Sequence, residues 1–388
     1  MKKSLLFTLP LMAAMLASCG GKGSGVNPNI PDPSKAKEEV AVGDATGLFA
    51  RAAGVSFSSE SLGLKLGVTS NANVTLKLPD TTESAKQGKI VLGKAEAKAD
   101  ETLTVDVNAT GLDKVGFQNM KMSARVDLKA NAYAHVPAST MQMISMFAPI
   151  ELPATEGDLD LDLKLGGQSY VYSNGERAFF EVNEDMVNSA RTILALTGNT
   201  KVQVMDAGKY RTPLYPDEES LKNFSFAAIV NEFVAPYLTT LPALVAQYGP
   251  AIAQICEEFK GLKYSDTEYA IYAKADIFKL VGLFAPEYKE IVDVLNVDSN
   301  EAKVVAAIVF DTQKGLKSVG VEAKVDASLT YGQLGVAESM GVNANEKLLD
   351  AHAKVGVALE VKTGADVKVE EVTNPDAYQD IVDVTGLR

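Results

Sequence analysis

The feature that most constrains this chain is a period-2 alternation of apolar and polar residues that recurs along most of its length. In Asp158–Leu165 the leucines 159, 161, 163 and 165 fall on one parity, and Asp158, Asp160, Asp162 and Lys164 on the other. A strand with that pattern has one dry face and one wet face. Gly166-Gly167 reads as a break, after which Tyr170-Val171-Tyr172 and Ala178-Phe179-Phe180 flank Ser173-Asn174-Gly175-Glu176. Asn-Gly is a strong short-hairpin signal, so the stretch to Val182 predicts a β-meander.

The same alternation appears in Leu62, Leu64, Leu66 and Val68, and then in Val74, Leu76 and Leu78, predicting half-buried strands. Ala95, Ala97 and Ala99 precede Asp100-Glu101, and Leu103, Val105, Val107 and Ala109 follow it. That pair predicts a hairpin turning at the two acids. The longest run, Met120 to Val136, would extend over 50 Å at about 3.3 Å per residue, so it must curve or bulge. A second strand set opens at Glu268–Lys274 and includes Ala302–Phe310, which is apolar on both parities and therefore central. Val319 to Leu329, Val355 to Val361, and Val367 with Val369 complete the series.

Between the strand sets the period changes. Asn183 to Leu196 carries Met186, Ile193, Leu194 and Leu196 at helical spacing, and Glu218 to Phe259 repeats apolar residues every three or four positions. Pro236, Pro242 and Gly249-Pro250 should break the second block into pieces. Phe233 to Cys256 has no charged residue. Its prolines, glutamines and threonines make a poor membrane span, so buried or sheet-covering helices are expected. Ser139 to Leu152 is Met-rich, with Met141, Met143, Met146 and Phe147, and reads either as a core filler or as a ligand-facing lid. AFFEVNEDMV from Ala178 and AIYAKADIFKLV from Ala270 echo one another, each an apolar strand passing through an acidic residue into a helix.

The N-terminus bounds the compartment. Lys2 and Lys3, the apolar run Leu5 to Leu16, and Leu16-Ala17-Ser18-Cys19 read as a secretory leader ending in a lipoprotein cleavage site. This end resembles the bacterial lipobox, and the resemblance implies a diacylated Cys19 as the first mature residue. Two acyl chains anchor a protein stably on a bilayer. The expected organisation is a leader over 1–18, a lipidated cysteine and flexible linker over 19–39, one β-rich domain over 40–375 with a central helical block at 217–260, and a tail over 376–388. The full chain carries a net charge of −13, and losing Lys2 and Lys3 leaves about −15, which disfavours nucleic acid as a partner.

Catalytic marks are lacking. There is no G-x-S-x-G, P-loop or H-E-x-x-H, so no enzyme activity is expected. Asp158, Asp160 and Asp162 imitate the start of a calcium loop, but Leu163 stands where that loop needs glycine. His135 and His352 lie on polar parities and read as surface residues, and Cys256 as a buried inert thiol. No metal or other cofactor is implied.

The lipobox cysteine, linker, long alternating strands from Val55 to Val136, hairpin from Tyr170 to Phe180, intervening helices and final strand set from Glu301 to Val369 together resemble the half-barrel lipid and lipoprotein carriers of the LolA and LppX types. The resemblance is one of layout. It implies an α+β fold: a large curved antiparallel half-barrel sheet with helices on its concave face, around a cavity for acyl chains. The expected role is an extracytoplasmic lipoprotein, anchored to the outer face of the cytoplasmic membrane or to the outer membrane, that binds lipid or another hydrophobic ligand. The alternative is a cell-surface structural or interaction lipoprotein with a solid core. Candidate cavity or lid residues are Met141, Met143, Met146, Phe147, Tyr237, Leu241, Leu244, Tyr248 and Ile252.

Overall fold

A computed structural model describes residues 29–145, 157–196, 204–214, 219–284, 293, 295 and 300–381. Cys19, Met146 and Phe147 lie outside the described residues. The strands are β1 Glu38–Val40, β2 Ser61–Pro79, β3 Leu92–Thr110, β4 Lys121–Val136, β5 Leu159–Ser173, β6 Arg177–Val182 and β7 Gly208–Pro213, then β8 Glu258–Lys263, β9 Glu268–Asp276, β10 Glu301–Asp311, β11 Gly315–Thr330, β12 Lys347–Thr363 and β13 Gln379–Asp380. They form one open sheet of 13 strands in the order β1-β8-β9-β10-β11-β12-β2-β3-β4-β5-β6-β7-β13. Every pairing is antiparallel except β13 on β7. The sheet is thus two meanders, β2 to β7 and β8 to β12, joined where β12 pairs with β2.

The register sorts the side chains by face. Ala97 stands opposite Ala134, Leu103 opposite Leu128, and Val105 opposite Val126. Ala132 faces Leu163, Leu349 faces Leu76, and Val321 faces Val357. One face is therefore apolar across both meanders. The other carries charged cross-strand neighbours, such as Lys354 with Glu322 at 2.8 Å and Lys324 between Glu301 and Asp326. Exposed pairs of this kind contribute about 0 to 1 kcal/mol each, so the sheet is held mainly by its ladders and by burial of its other face.

The helices, apart from the longest, lie against the apolar face. Their main members are α1 Val42–Phe57, α2 Ala138–Ser145, α3 Glu184–Leu196, α4 Phe226–Ile255 and α5 Ile277–Phe284. α1 lies across β8 to β11, α3 on β5, α2 against β3, and α5 against β9 and β10. Small residues let α1 come close: Ala45, Thr46, Ala52, Ala53 and Ser56 are all at most 1% exposed. Gly315 has φ +102°, and a Cβ there would lie 2.2 Å from Ser56 Oγ, the atom that accepts the Leu316 N–H at 2.8 Å. α3 docks in the same way. A Cβ on Gly167, at φ +140°, would lie 2.2 Å from the Met186 nitrogen, and Ser189 Oγ bonds both the N–H and the carbonyl of Gly166.

Several details differ from the sequence reading. β2 and β3 are single strands, with no turn at Asp100-Glu101, because the parity of Ala95 to Ala99 continues unchanged into Leu103 to Ala109. Likewise β5 runs through Gly166-Gly167, whose glycines admit α3 and do not end the strand. β4 pairs with both neighbours without a bulge. The stretch expected to be a flexible linker is partly folded: Ile30 and Ala36 pack against the cluster of Leu262 and Ala270, and β1 pairs with β8. After Thr363 the chain leaves the sheet, so Val367 and Val369 are not strand residues, and the tail returns with Tyr378 buried and β13 beside β7. Both echoed units pass from strand to helix as expected. Asn183 caps α3 through the Met186 N–H at 2.9 Å, and Asp276 caps α5 through the Lys279 N–H at 3.1 Å.

Candidate functional site

Among the described residues, the apolar face is closely packed at both ends and partly exposed in its middle. At one end Leu329, Tyr331 and Leu348 are at most 1% exposed and pack with Phe278, Leu295, Leu76 and Leu78. The Tyr331 hydroxyl donates to the Lys77 carbonyl at 2.6 Å, and burial pushes its pKa well above the ordinary phenol range. The opposite end is capped by Leu62, Leu112 and Met120, with Phe117, Phe224 and Phe226 packed against them. Between the ends, Leu66 and Val68 of β2, Val355, Val357 and Leu359 of β12, Leu103 and Val105 of β3, and Val126 and Leu128 of β4 are all partly exposed. α1 borders this trough on the β11 side and α3 on the β5 side. Its floor is nearly all hydrocarbon.

One charge interrupts that hydrocarbon. By strand parity Glu101 shares the apolar face with Ala99 and Leu103, opposite Ala130 of β4, whose partner on β5 is Leu165. Ser70, only 3% exposed and opposite Val355, donates its hydroxyl to Glu101 Oε2 at 3.1 Å. Glu101 is the one charged side chain that the described strands β12, β2, β3, β4 and β5 turn into the interior of this face; Lys347 lies at the very start of β12. A carboxylate in an apolar trough can accept hydrogen bonds from the polar end of an otherwise apolar molecule. The sequence pattern predicts a turn at this residue, and the structure runs a strand through it. The signal that it lies on the dry face was the unbroken odd parity from Ala95 to Ala109.

The residues singled out from sequence scatter. Met141, in α2, is 6% exposed and serves as core. Met143 falls in the same helix. α4 departs from the expectation most. It is one long helix with Pro242 and Pro250 inside it, continued from Phe226 through a π turn at Val230–Val234, and it is neither buried nor laid on the sheet. It begins where the Gly116 N–H meets the Phe224 carbonyl at 2.8 Å, packs along α1, and reaches β8 where Gly249 approaches Phe259. Tyr237 is 74% exposed, Tyr248 53% and Leu244 43%, whereas Leu241 and Ile252 are half-buried. The reason is topological: β7 and β8 lie near opposite edges of the sheet, so the connection must cross, and α1 already occupies the face beneath its second half.

The wet face has its own cleft, of about 660 Å³, between β4 to β7 and the chain from Glu370 to Tyr378. It is lined by Arg125, Glu181, Lys209, Glu370 and Glu371 among others, and the Tyr378 hydroxyl meets Glu181 across it. Mixed charge suits the protein's own tail. Burial, assisted by Glu370, pushes the Tyr170 phenol up to about 12. His135 and His352 each pair with an aspartate, Asp160 and Asp326, at 2.7 Å on this same face. Among the described residues no three potential metal ligands come together. Cys256 follows α4, and burial raises its thiol pKa.

No protein-family model matches the chain, and no curated protein matches it. Among solved structures, a Pseudomonas aeruginosa FadL homologue aligns over 88% of this chain and 99% of its own, at 6% identity and a TM-score of 0.20. Pseudomonas aeruginosa OccK7 (OpdD) aligns over 78% and 98%, at 6% identity and 0.14. Likeness at that level carries no argument about fold or function.

Proposed function

We propose that this protein is an exported lipoprotein, anchored by Cys19 to the outer face of the cytoplasmic membrane or to the outer membrane, that holds a lipid or similar hydrophobic ligand in the trough. The observation that carries the reading is the partly exposed middle of the apolar face between two sealed ends. Apolar area left in water forgoes about 25 cal/mol per Å², so a molecule with acyl chains is stabilised by covering it. Glu101 gives the ligand's polar end a place to bind. A headgroup or chain terminus with hydroxyl or amine donors fits a carboxylate already held by Ser70. The solid-core alternative would bury Leu66, Val68, Val357 and Leu359 fully, and these are partly exposed. No residue has a catalytic role in this reading.

The test is native mass spectrometry with lipid extraction of the purified protein. A reproducible bound amphiphile is expected, and Val357→Asp should abolish it while circular dichroism stays unchanged. Should Val357→Asp unfold the chain, the milder Val68→Thr with Leu359→Thr replaces it. Consistent absence of any amphiphile from wild type, together with failure to take up a fluorescent fatty acid, would refute the carrier reading.

A further inference from the structure

α4 presents Ile229, Phe233, Tyr237, Leu244 and Tyr248 on its outer side, each between 39% and 74% exposed. Spacings of four and seven residues place them along one stripe of the helix. From Phe233 to Cys256 the helix has no charge, and none of its 18-residue apolar window, of mean hydropathy 1.3, is buried. The adjoining flank is committed, because Leu241 and Ile252 are half-buried, Gly249 is buried and the helix packs along α1.

We infer that this stripe lies in the plane of a phospholipid bilayer, with the phenylalanine and leucine among the upper acyl carbons and the two tyrosine hydroxyls at the headgroups. Uncharged polar flanks, with Thr239, Gln247 and Gln254 all exposed, suit the neutral interfacial zone, and tyrosine favours that boundary. The chain outside the structure points the same way. Cys19 to Pro28 is ten residues, which reach at most about 35 Å. They end beside Ile30, which packs on Leu262 on one face of β8, while α4 arrives at Phe259 on the other face of that same edge region. An anchor at Cys19 therefore keeps the α4 edge of the sheet within reach of the membrane. This step rests on the anchored reading above. Crossing the bilayer would instead strip α4 from α1, whereas lying on it keeps that packing.

The chain has no tryptophan, so each introduced one reports a single position. Tyr237→Trp, Tyr248→Trp and, as control, Tyr133→Trp on the wet face of β4 are made in the full chain, purified from membranes with whatever anchor it carries and reconstituted into phosphatidylcholine vesicles. Flotation of the wild type reports the anchor separately. Positions 237 and 248 should show blue-shifted emission and severalfold stronger quenching by lipids brominated on upper acyl carbons than position 133. Both should lie at one shallow depth. Adding Leu244→Asp to Tyr237→Trp should return its emission to that of water. Protein that floats with unquenched 237 and 248 overturns the inference while leaving the anchor intact. Protein that does not float overturns both. Depths differing by the roughly 16 Å between these positions along a helix would mean spanning, and would also overturn it.

Discussion

The Tyr331 end of the apolar face and its middle are made of the same residue types on the same strands, yet one is dry and the other is open. Leu76, Leu349 and Leu329 at the end are at most 7% exposed, while Leu66, Leu359 and Val321 on the same three strands are partly exposed. What differs is the opposite side. Phe278 and Leu295, with Leu334, Val336 and Met340 after β11, fill the space above the end. Over the middle, the described helices stand to either side. Alternation says which face of a strand is apolar, and a separate element decides whether that face is covered.

Truncation should expose the contrast most strongly. Leu329→Ala, at a fully buried position, is expected to lose about 2 to 5 kcal/mol in urea unfolding. Leu359→Ala should lose only about 1 kcal/mol, since its side chain leaves less area behind. Equal losses would mean that the middle is packed solid and that the trough does not exist. Tyr331→Phe comes next. Its hydroxyl satisfies the Lys77 carbonyl in the sealed end, so removing it should lower stability by about 1 to 3 kcal/mol, read by the shift in denaturation midpoint.

A charge in a covered place gives a pH signature. Asp311 is 6% exposed, where burial opposes its ionisation, but the N–H groups of Gln313 and Lys314 and the Thr267 hydroxyl outweigh that and hold its pKa below the ordinary carboxylate value. A depressed folded pKa stabilises fully above the unfolded value, and that contribution disappears as pH falls through the folded one. The stability gap between wild type and Asp311→Asn should therefore be widest near neutrality and shrink below about pH 4. A gap independent of pH would mean that Asp311 is not ionised in the fold.

The sheet was legible in the sequence because period 2 is a backbone property, and the dry parity of Met120 to Val136 survives intact as the apolar side of β4. Turns were less legible. Asp100-Glu101 and Gly166-Gly167 have turn-like composition, but in each place the pairing partners on both sides continue, so the strand does too. Burial of α4 was misjudged because leucine, proline and tyrosine content measures a wish for apolar contact without supplying the contact. α1 reached the sheet with alanine, serine and threonine instead, since small side chains permit the close approach that larger ones prevent. Glu101 was hidden for a related reason: an acidic pair between two apolar runs has the composition of a boundary, although a single strand passes through it.

Glu101→Gln should change stability least and inform the comparison most. An ionised carboxylate in a dry interior is expensive, and neutralising one there would stabilise the protein by several kcal/mol. In a trough that water can enter, the charge is solvated, and the amide oxygen of glutamine still accepts from Ser70, so the midpoint of unfolding in ligand-free protein should move by no more than about 0.5 kcal/mol. Retention of a donor-bearing amphiphile, measured on the same preparation by extraction, should nonetheless fall, because a neutral acceptor holds an amine or hydroxyl more weakly than a charged one. A large gain in stability would place Glu101 in a sealed core. No change in either quantity would leave the carboxylate exposed but without a part in binding, and the ligand's polar end would have to lie elsewhere along the face.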